Sequence, residues 1–108
     1  MENLAKLIED LFEQCDSHLP ISNSLIPLRI LAKTIHREAK DEDLTLKMLC
    51  RELKSSDLCT RTHINKLEKH DWLKLEHSNS DARVKMVKST PKLVETFKKI
   101  SDELKHSI

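Results

Sequence analysis

The chain is 108 residues long, 38% hydrophobic and 34% charged, with 3% aromatic residues and a formal net charge of +1. Those totals describe one domain with a modest core and exclude both a disordered and a membrane-embedded chain. There is no glycine at all, so there can be no glycine-rich phosphate loop, dinucleotide fingerprint or nucleophile elbow, and no enzyme is expected. The three cysteines (Cys15, Cys50, Cys59) contain no CxxC pair. With no basic, apolar leader at the start and no run long enough to span a bilayer, this points to a reducing cytoplasm. Charge is unevenly spread: residues 1–19 carry net −4, residues 20–53 net +1 and residues 54–108 net +4, so a basic second half follows an acidic start.

Taken in order, Leu4, Leu7, Ile8, Leu11, Phe12 and Cys15 recur at helical spacing and predict an amphipathic helix over about 3–17. Its apolar stripe needs a cover, either the rest of the domain or a second copy. Ser22, Asn23 and Ser24 offer caps for a second helix over about 24–38, with Pro27 in its first turn and Leu25, Leu28, Leu31, Ala32 and Ile35 on its inner face. A polar connector, Lys40 to Asp43, comes next.

Thr45 is a natural N-cap for a short helix burying Leu46, Leu49, Cys50 and Leu53. Lys54, Ser55 and Ser56 make a turn, and Ser55 or Ser56 caps a helix over about 57–70. At 100° per residue this helix buries Thr60, Ile64 and Leu67. Leu58, Thr62, Asn65, Lys66 and Lys69 lie opposite, with Cys59 and Arg61 on the flanks. From Trp72, a hydrophobic plug at the root of a hairpin, the period shortens towards two. A strand over 72–77, a polar turn at Ser78 to Asp81, and a returning strand at Arg83 to Lys88 predict that hairpin. Thr90 and Pro91 then open a last helix carrying Leu93, Val94, Phe97, Ile100 and Leu104.

Helix, turn, more basic helix and hairpin in that order describe a mainly α fold with a small β-hairpin wing, a winged helix-turn-helix. Residues 1–20 form its N-terminal helix, 21–90 its core and 91–108 its C-terminal helix, the two terminal helices being suited to dimerisation. Arg and Asn can pair bidentately with guanine and adenine, and a narrow minor groove attracts Arg. On these grounds Arg61, Thr62, Asn65 and Lys66 are candidates for base edges and nearby phosphates. Ser56, Lys69, Asn79 and Lys85 are candidates for register-fixing phosphate contacts.

From about Leu25 to Leu104 the chain resembles the MarR family of bacterial transcriptional regulators. LTLKMLCREL stands in place of the first helix of the motif, SSDLCTRTHINKLEKHDWL in place of the recognition helix and its exit, and Asp81-Ala82-Arg83 in the wing. The resemblance implies a homodimer that sets two recognition helices in successive major grooves of a pseudo-palindromic operator. It also implies that Arg83 is the wing arginine reaching the minor groove, braced by Asp81. Lys54 and Asp71 stand where the family commonly has glycine. The shorter ends leave less room for an effector pocket, and no effector, cofactor or metal is named.

The competing assignments are plainer. The basic helix face could be ordinary solvated surface, and Arg83 with Asp81 a surface ion pair of little worth. Cys59 and His63, one turn apart, lack the third and fourth partners a metal site needs. Cys59 flanks the reading face, where its oxidation would disturb binding. The expectation is a homodimeric, sequence-specific double-stranded DNA-binding regulator, a repressor by occlusion. The alternative is a winged-helix protein-interaction module, an adaptor or antirepressor, that reads no DNA.

Overall fold

The structure is a computed structural model and describes residues 1–20, 24–81 and 83–105. The element order is α1 (Glu2–His18), α2 (Ile26–Ala39), α3 (Leu46–Glu52), α4 (Asp57–Lys69), β1 (Leu73–His77), β2 (Lys85–Ser89) and α5 (Pro91–Lys105). The two strands form an antiparallel hairpin with Leu73 opposite Ser89 and His77 opposite Lys85. This is the mainly helical winged architecture expected from the sequence.

The local signals act where their chemistry puts them. The hydroxyl of Thr45 accepts the Met48 N–H at 3.1 Å and that of Ser56 accepts the Cys59 N–H at 3.1 Å. Each satisfies a donor that the first helical turn leaves free. Thr90 opens α5 in the same way, its Oγ1 accepting the Leu93 N–H at 3.3 Å while donating to the Asp71 carbonyl at 2.7 Å. One buried hydroxyl thus joins the start of α5 to the exit of α4. Ser24 accepts the Ile26 N–H at 3.2 Å, whereas Ser22 and Asn23 lie outside the described residues.

A chain without glycine must turn its corners with other residues. Asp41, Lys54 and Asp71 take φ values of 56°, 53° and 64°, the left-handed region in which a Cβ is disfavoured. At the end of α2 the Glu42 N–H reaches back to the Arg37 carbonyl at 2.9 Å, and at the end of α4 the Trp72 N–H reaches the Leu67 carbonyl at 2.9 Å. These six-residue closures around a left-handed aspartate satisfy helix-end carbonyls that would otherwise be orphaned.

The core gathers Ile30 and Leu31 of α2, Leu49 of α3, Ile64 of α4, Leu73 and Val87 of the hairpin and Leu93 of α5, each at most 2% exposed. In α2 the buried side chains are Pro27, Ile30, Leu31 and Thr34. The expected inner face, Leu25, Leu28, Leu31, Ala32 and Ile35, is therefore rotated from the observed one. Leu25 is 54% exposed. Packing decides this, because α2 touches both α4 and β2 and turns its 27/30/31/34 stripe to them, leaving Leu28 and Ala32 on a groove facing α1 and α5.

The hairpin also differs in detail. Arg83 lies in the turn, and the returning strand starts at Lys85. The tip is closed by Ser78 N–H to the Val84 carbonyl at 2.9 Å and Val84 N–H to the Asp81 carbonyl at 3.0 Å, so Val84 belongs to the loop closure. The residues leading into α3 add a short third pairing: Thr45 bridges Met86, and the Val87 N–H donates to the Leu44 carbonyl at 2.8 Å. This ties the wing to the start of the helix-turn-helix.

α1 packs on α5 but leaves much of its stripe uncovered. Leu4, Ile8, Leu11 and Phe12 are 61%, 43%, 38% and 44% exposed, and only Cys15 of that stripe is buried. Next to it, Leu7, Leu11, Leu28, Phe97, Ile100 and Leu104 border an apolar groove of about 600 Å³. Among the described residues, no helix is long and apolar enough to cross a membrane.

Candidate nucleic-acid interface

α4 is a thirteen-residue helix pinned on three sides. Thr60, Ile64 and Leu67 are buried against α2, α3 and β1, which α4 touches. The Thr60 hydroxyl is 2.9 Å from that of Ser55 in the preceding turn. Burial of this one face fixes the rotation of the helix, so Arg61, Thr62, Asn65, Lys66 and Lys69 are all exposed. The rotation derived from the period is the one observed.

The start of α4 faces the base of the wing across a groove of about 550 Å³ bordered by Lys47, Asp57, Arg61, Arg83 and Lys85. Two guanidinium and two ammonium groups therefore border one depression, against one carboxylate. Arg61 of α4 and Arg83 and Lys85 of the wing come together here from two separate segments. Lys47, the second residue of α3, belongs with them and was not singled out from the sequence. Its signal was present, since it lies off the Leu46/Leu49/Cys50 face of a short capped helix.

Other acids near this surface are engaged. Glu68 of α4 accepts the Leu75 N–H of β1 through Oε2 at 3.3 Å, fastening wing to helix. Glu76 pairs with Lys74 at 3.2 Å. Asp81 accepts the backbone N–H of Arg83 at 3.0 Å and its Nε at 3.3 Å. The backbone hydrogen bond first, and the side-chain one second, hold the Asp81 carboxyl below the usual carboxylate range. Arg83 itself keeps a side chain 91% exposed, so Asp81 orients its root while leaving the guanidinium accessible. Ala82, between them, lies outside the described residues.

The remaining candidates divide. Ser56 is exposed and spends its hydroxyl oxygen on the cap of α4, leaving its proton free to donate. Asn79 is exposed at the wing tip, bordering a shallow depression with Asp43 and Lys88, away from the α4 groove. Thr62 donates its hydroxyl to the Leu58 carbonyl at 2.7 Å, so the donor expected to face a base edge is already used. Trp72 is 8% exposed. It does more than plug the wing, because the Lys92 ammonium stands 4.2 Å from its ring centroid while donating to the His70 carbonyl at 2.9 Å.

Cys59 is half-buried, while Cys15 and Cys50 are buried. Burial pushes the Cys15 thiol above its ordinary pKa. Burial does the same to Cys50, partly opposed by the Arg61 guanidinium and reinforced by Asp57, so neither is poised as a thiolate. Among the described residues no group of three or more His, Cys, Asp or Glu side chains is placed to hold a metal ion.

No family model and no curated protein matches the chain by sequence. Solved structures match its fold. The MepR–DNA complex of S. aureus aligns with a TM-score of 0.69 at 19% identity over 94% of this chain and 80% of that one. The transcriptional regulator Tm0710 of Thermotoga maritima aligns at 0.71 and 15% identity, over 95% and 67%. Sco3205 of Streptomyces coelicolor, a MarR family transcriptional regulator in complex with DNA, aligns at 0.67 and 19% identity, over 98% and 64%. Nearly the whole chain therefore has the winged-helix fold of these regulators, while spanning about two thirds to four fifths of their lengths.

Proposed function

We propose that this chain is a sequence-reading, double-stranded DNA-binding transcription regulator of the MarR type that works as a homodimer and represses by occluding its operator. The observation that carries the proposal is the convergence of Arg61, Arg83, Lys85 and Lys47 on one groove between α4 and the wing. A duplex presents a regular array of phosphates with base edges in between, and such a groove beside an exposed helix face suits it. Of the acids that would interrupt a positive face and favour a protein-docking module, Asp57, Glu68 and Glu76, the last is paired with Lys74 and Glu68 is turned to the Leu75 N–H, while Asp57 is outnumbered on the groove by four cations. MepR and Sco3205, whose fold this chain shares, are both seen with DNA.

A net charge of +1 makes one copy a weak polyelectrolyte ligand, so affinity has to come from two copies. The uncovered stripe of α1 supplies the means. Leu4, Ile8, Leu11 and Phe12 form the kind of apolar face that a second copy would bury in an isologous contact.

The test is selection of bound duplexes from random DNA, followed by a salt titration of the best site. Binding should weaken steeply with salt, with a log–log slope of about −0.9 per phosphate contacted. Arg61→Ala combined with Arg83→Ala should lower affinity by about tenfold or more and flatten that slope. Equal binding by the double variant, or indifference to duplex DNA at low salt, would defeat the proposal in favour of a protein-interaction role.

A further inference from the structure

The outward face of α4 is polar except at one place. Leu58 is 77% exposed, more than any other large hydrophobic side chain among the described residues except Met1. Isolated exposed leucines are ordinary on protein surfaces, so its exposure alone says little; its position and neighbours say more. At 100° per residue, Leu58, Thr62, Asn65 and Lys69 fall within an arc of about 60°, which makes Leu58 the first-turn residue at the centre of the exposed face. Arg61 borders the same face and leads into the cationic groove shared with Lys47, Arg83 and Lys85.

Thr62, one turn on, has been changed by its own hydrogen bond. Its hydroxyl proton is donated to the Leu58 carbonyl at 2.7 Å, a back-bond available to threonine in a helix. What Thr62 retains for a partner is an acceptor lone pair and a γ-methyl group. Leu58 offers an isobutyl group and nothing else, and neither residue can therefore donate to a base edge.

A duplex held by the surrounding cations would bring the major groove against this turn, since the first residues of a recognition helix are those that meet base edges. In that groove the bases show donors, acceptors and one apolar group, the C5-methyl of thymine. We infer that Leu58, with the γ-methyl of Thr62 beside it, is a specificity-determining contact that reads thymine methyl groups in each half-site. This rests on the DNA-binding proposal above and adds a readout that the arginine and asparagine side chains cannot provide.

The experiment takes the best duplex from random selection and replaces each thymine in turn by deoxyuridine, which removes the methyl and leaves the pairing edge intact. The unaltered chain should lose about three- to tenfold in affinity at one thymine, or two adjacent ones, per half-site. Leu58→Ala, an exposed substitution whose folding is checked by thermal melting, should bind thymine and deoxyuridine duplexes alike at that position. Thr62→Ser, which keeps the hydroxyl and loses the methyl, should narrow the difference. Tight binding by the wild type with no response to methyl removal at any position overturns the inference while sparing the proposed function. A methyl response that survives in Leu58→Ala also overturns it, because the reader then lies elsewhere. Failure to bind any duplex defeats the DNA-binding proposal and this inference with it.

Discussion

Glu38 and Ser89 stand 51 residues apart in the chain, and one carboxylate takes both hydrogens that Ser89 offers. Oε1 of Glu38 accepts the Ser89 N–H at 2.7 Å and Oε2 accepts its hydroxyl at 2.5 Å. The pair fastens the end of α2 to the last residue of β2, one position before Thr90 opens α5. α2 is therefore held to the root of the wing through this one acid.

Removing that acid leaves a half-buried backbone N–H without its partner. Glu38→Ala should destabilise the fold by about 1.5–3 kcal/mol, the range for hydrogen bonds to a charged group plus the unsatisfied donor. Glu38→Gln keeps one acceptor and should cost roughly half as much. Urea denaturation gives both values. A loss within about 0.5 kcal/mol for Glu38→Ala, as for an ordinary surface change, would mean the bond adds nothing net.

The left-handed turn at Lys54 should be improvable. Its φ of 53° sets a Cβ against the following carbonyl at a cost of about 1–2 kcal/mol, part of which glycine returns as unfolded-state entropy. Lys54→Gly should therefore raise stability by about 0.5–1 kcal/mol, while Lys54→Ala should bring no gain. At Asp71, φ 64°, the gain from glycine should be smaller because aspartate tolerates this region better. Thermal melts of the three variants decide it, and an equal response to alanine and glycine at position 54 would contradict the strain argument.

The wing turn should respond to acid through Asp81. Its folded-state pKa is lowered by the Arg83 N–H and side chain. The stabilisation it brings is present above the ordinary carboxylate range near about pH 4 and disappears as pH falls through the lowered folded value. No change in the turn is expected from Asp81 between about pH 5 and 8. Following the Arg83 amide resonance during an acid titration tests this. Asp81→Asn should abolish the transition, and a midpoint at or above the ordinary aspartate value in the wild type would contradict the assignment.

The second copy should be removable without unfolding the first. Ile8 and Phe12 are 43% and 44% exposed in a single chain, so Ile8→Glu with Phe12→Lys should leave helical circular dichroism close to wild type. Light scattering should then report half the wild-type mass, and operator affinity should fall by about a hundredfold or more with the loss of bivalent binding. A wild type that is already monomeric at micromolar concentration would refute the role given to α1.

How much of the fold is legible in the sequence differs from element to element. The caps at Thr45, Ser56 and Thr90 and the rotation of α4 could be read from residue types and a helical period, because each depends on neighbours within four residues, whereas for Asp71 only the family resemblance, with glycine at that place, pointed to a left-handed turn. The inner face of α2 could not be read in this way. It carries Ile30 and Leu31 beside Leu28 and Ile35, and its pattern accommodates two rotations until α4 and β2 select one. The place of Arg83 in the loop, and not in the strand, depended on where the hairpin hydrogen bonds ended, and polar residues on either side of the tip left that open.

Residue types alone set the order of elements, the polarity of the exposed α4 face and the absence of glycine from every turn, since these come from side-chain chemistry and local backbone preference. Which cations share a groove and which apolar surface is left over on α1 were settled by long-range packing. Those are distances between segments tens of residues apart. The closure of the chain around Leu49, Ile64 and Leu93 sets them, because close packing admits one arrangement of the helices that carry those side chains.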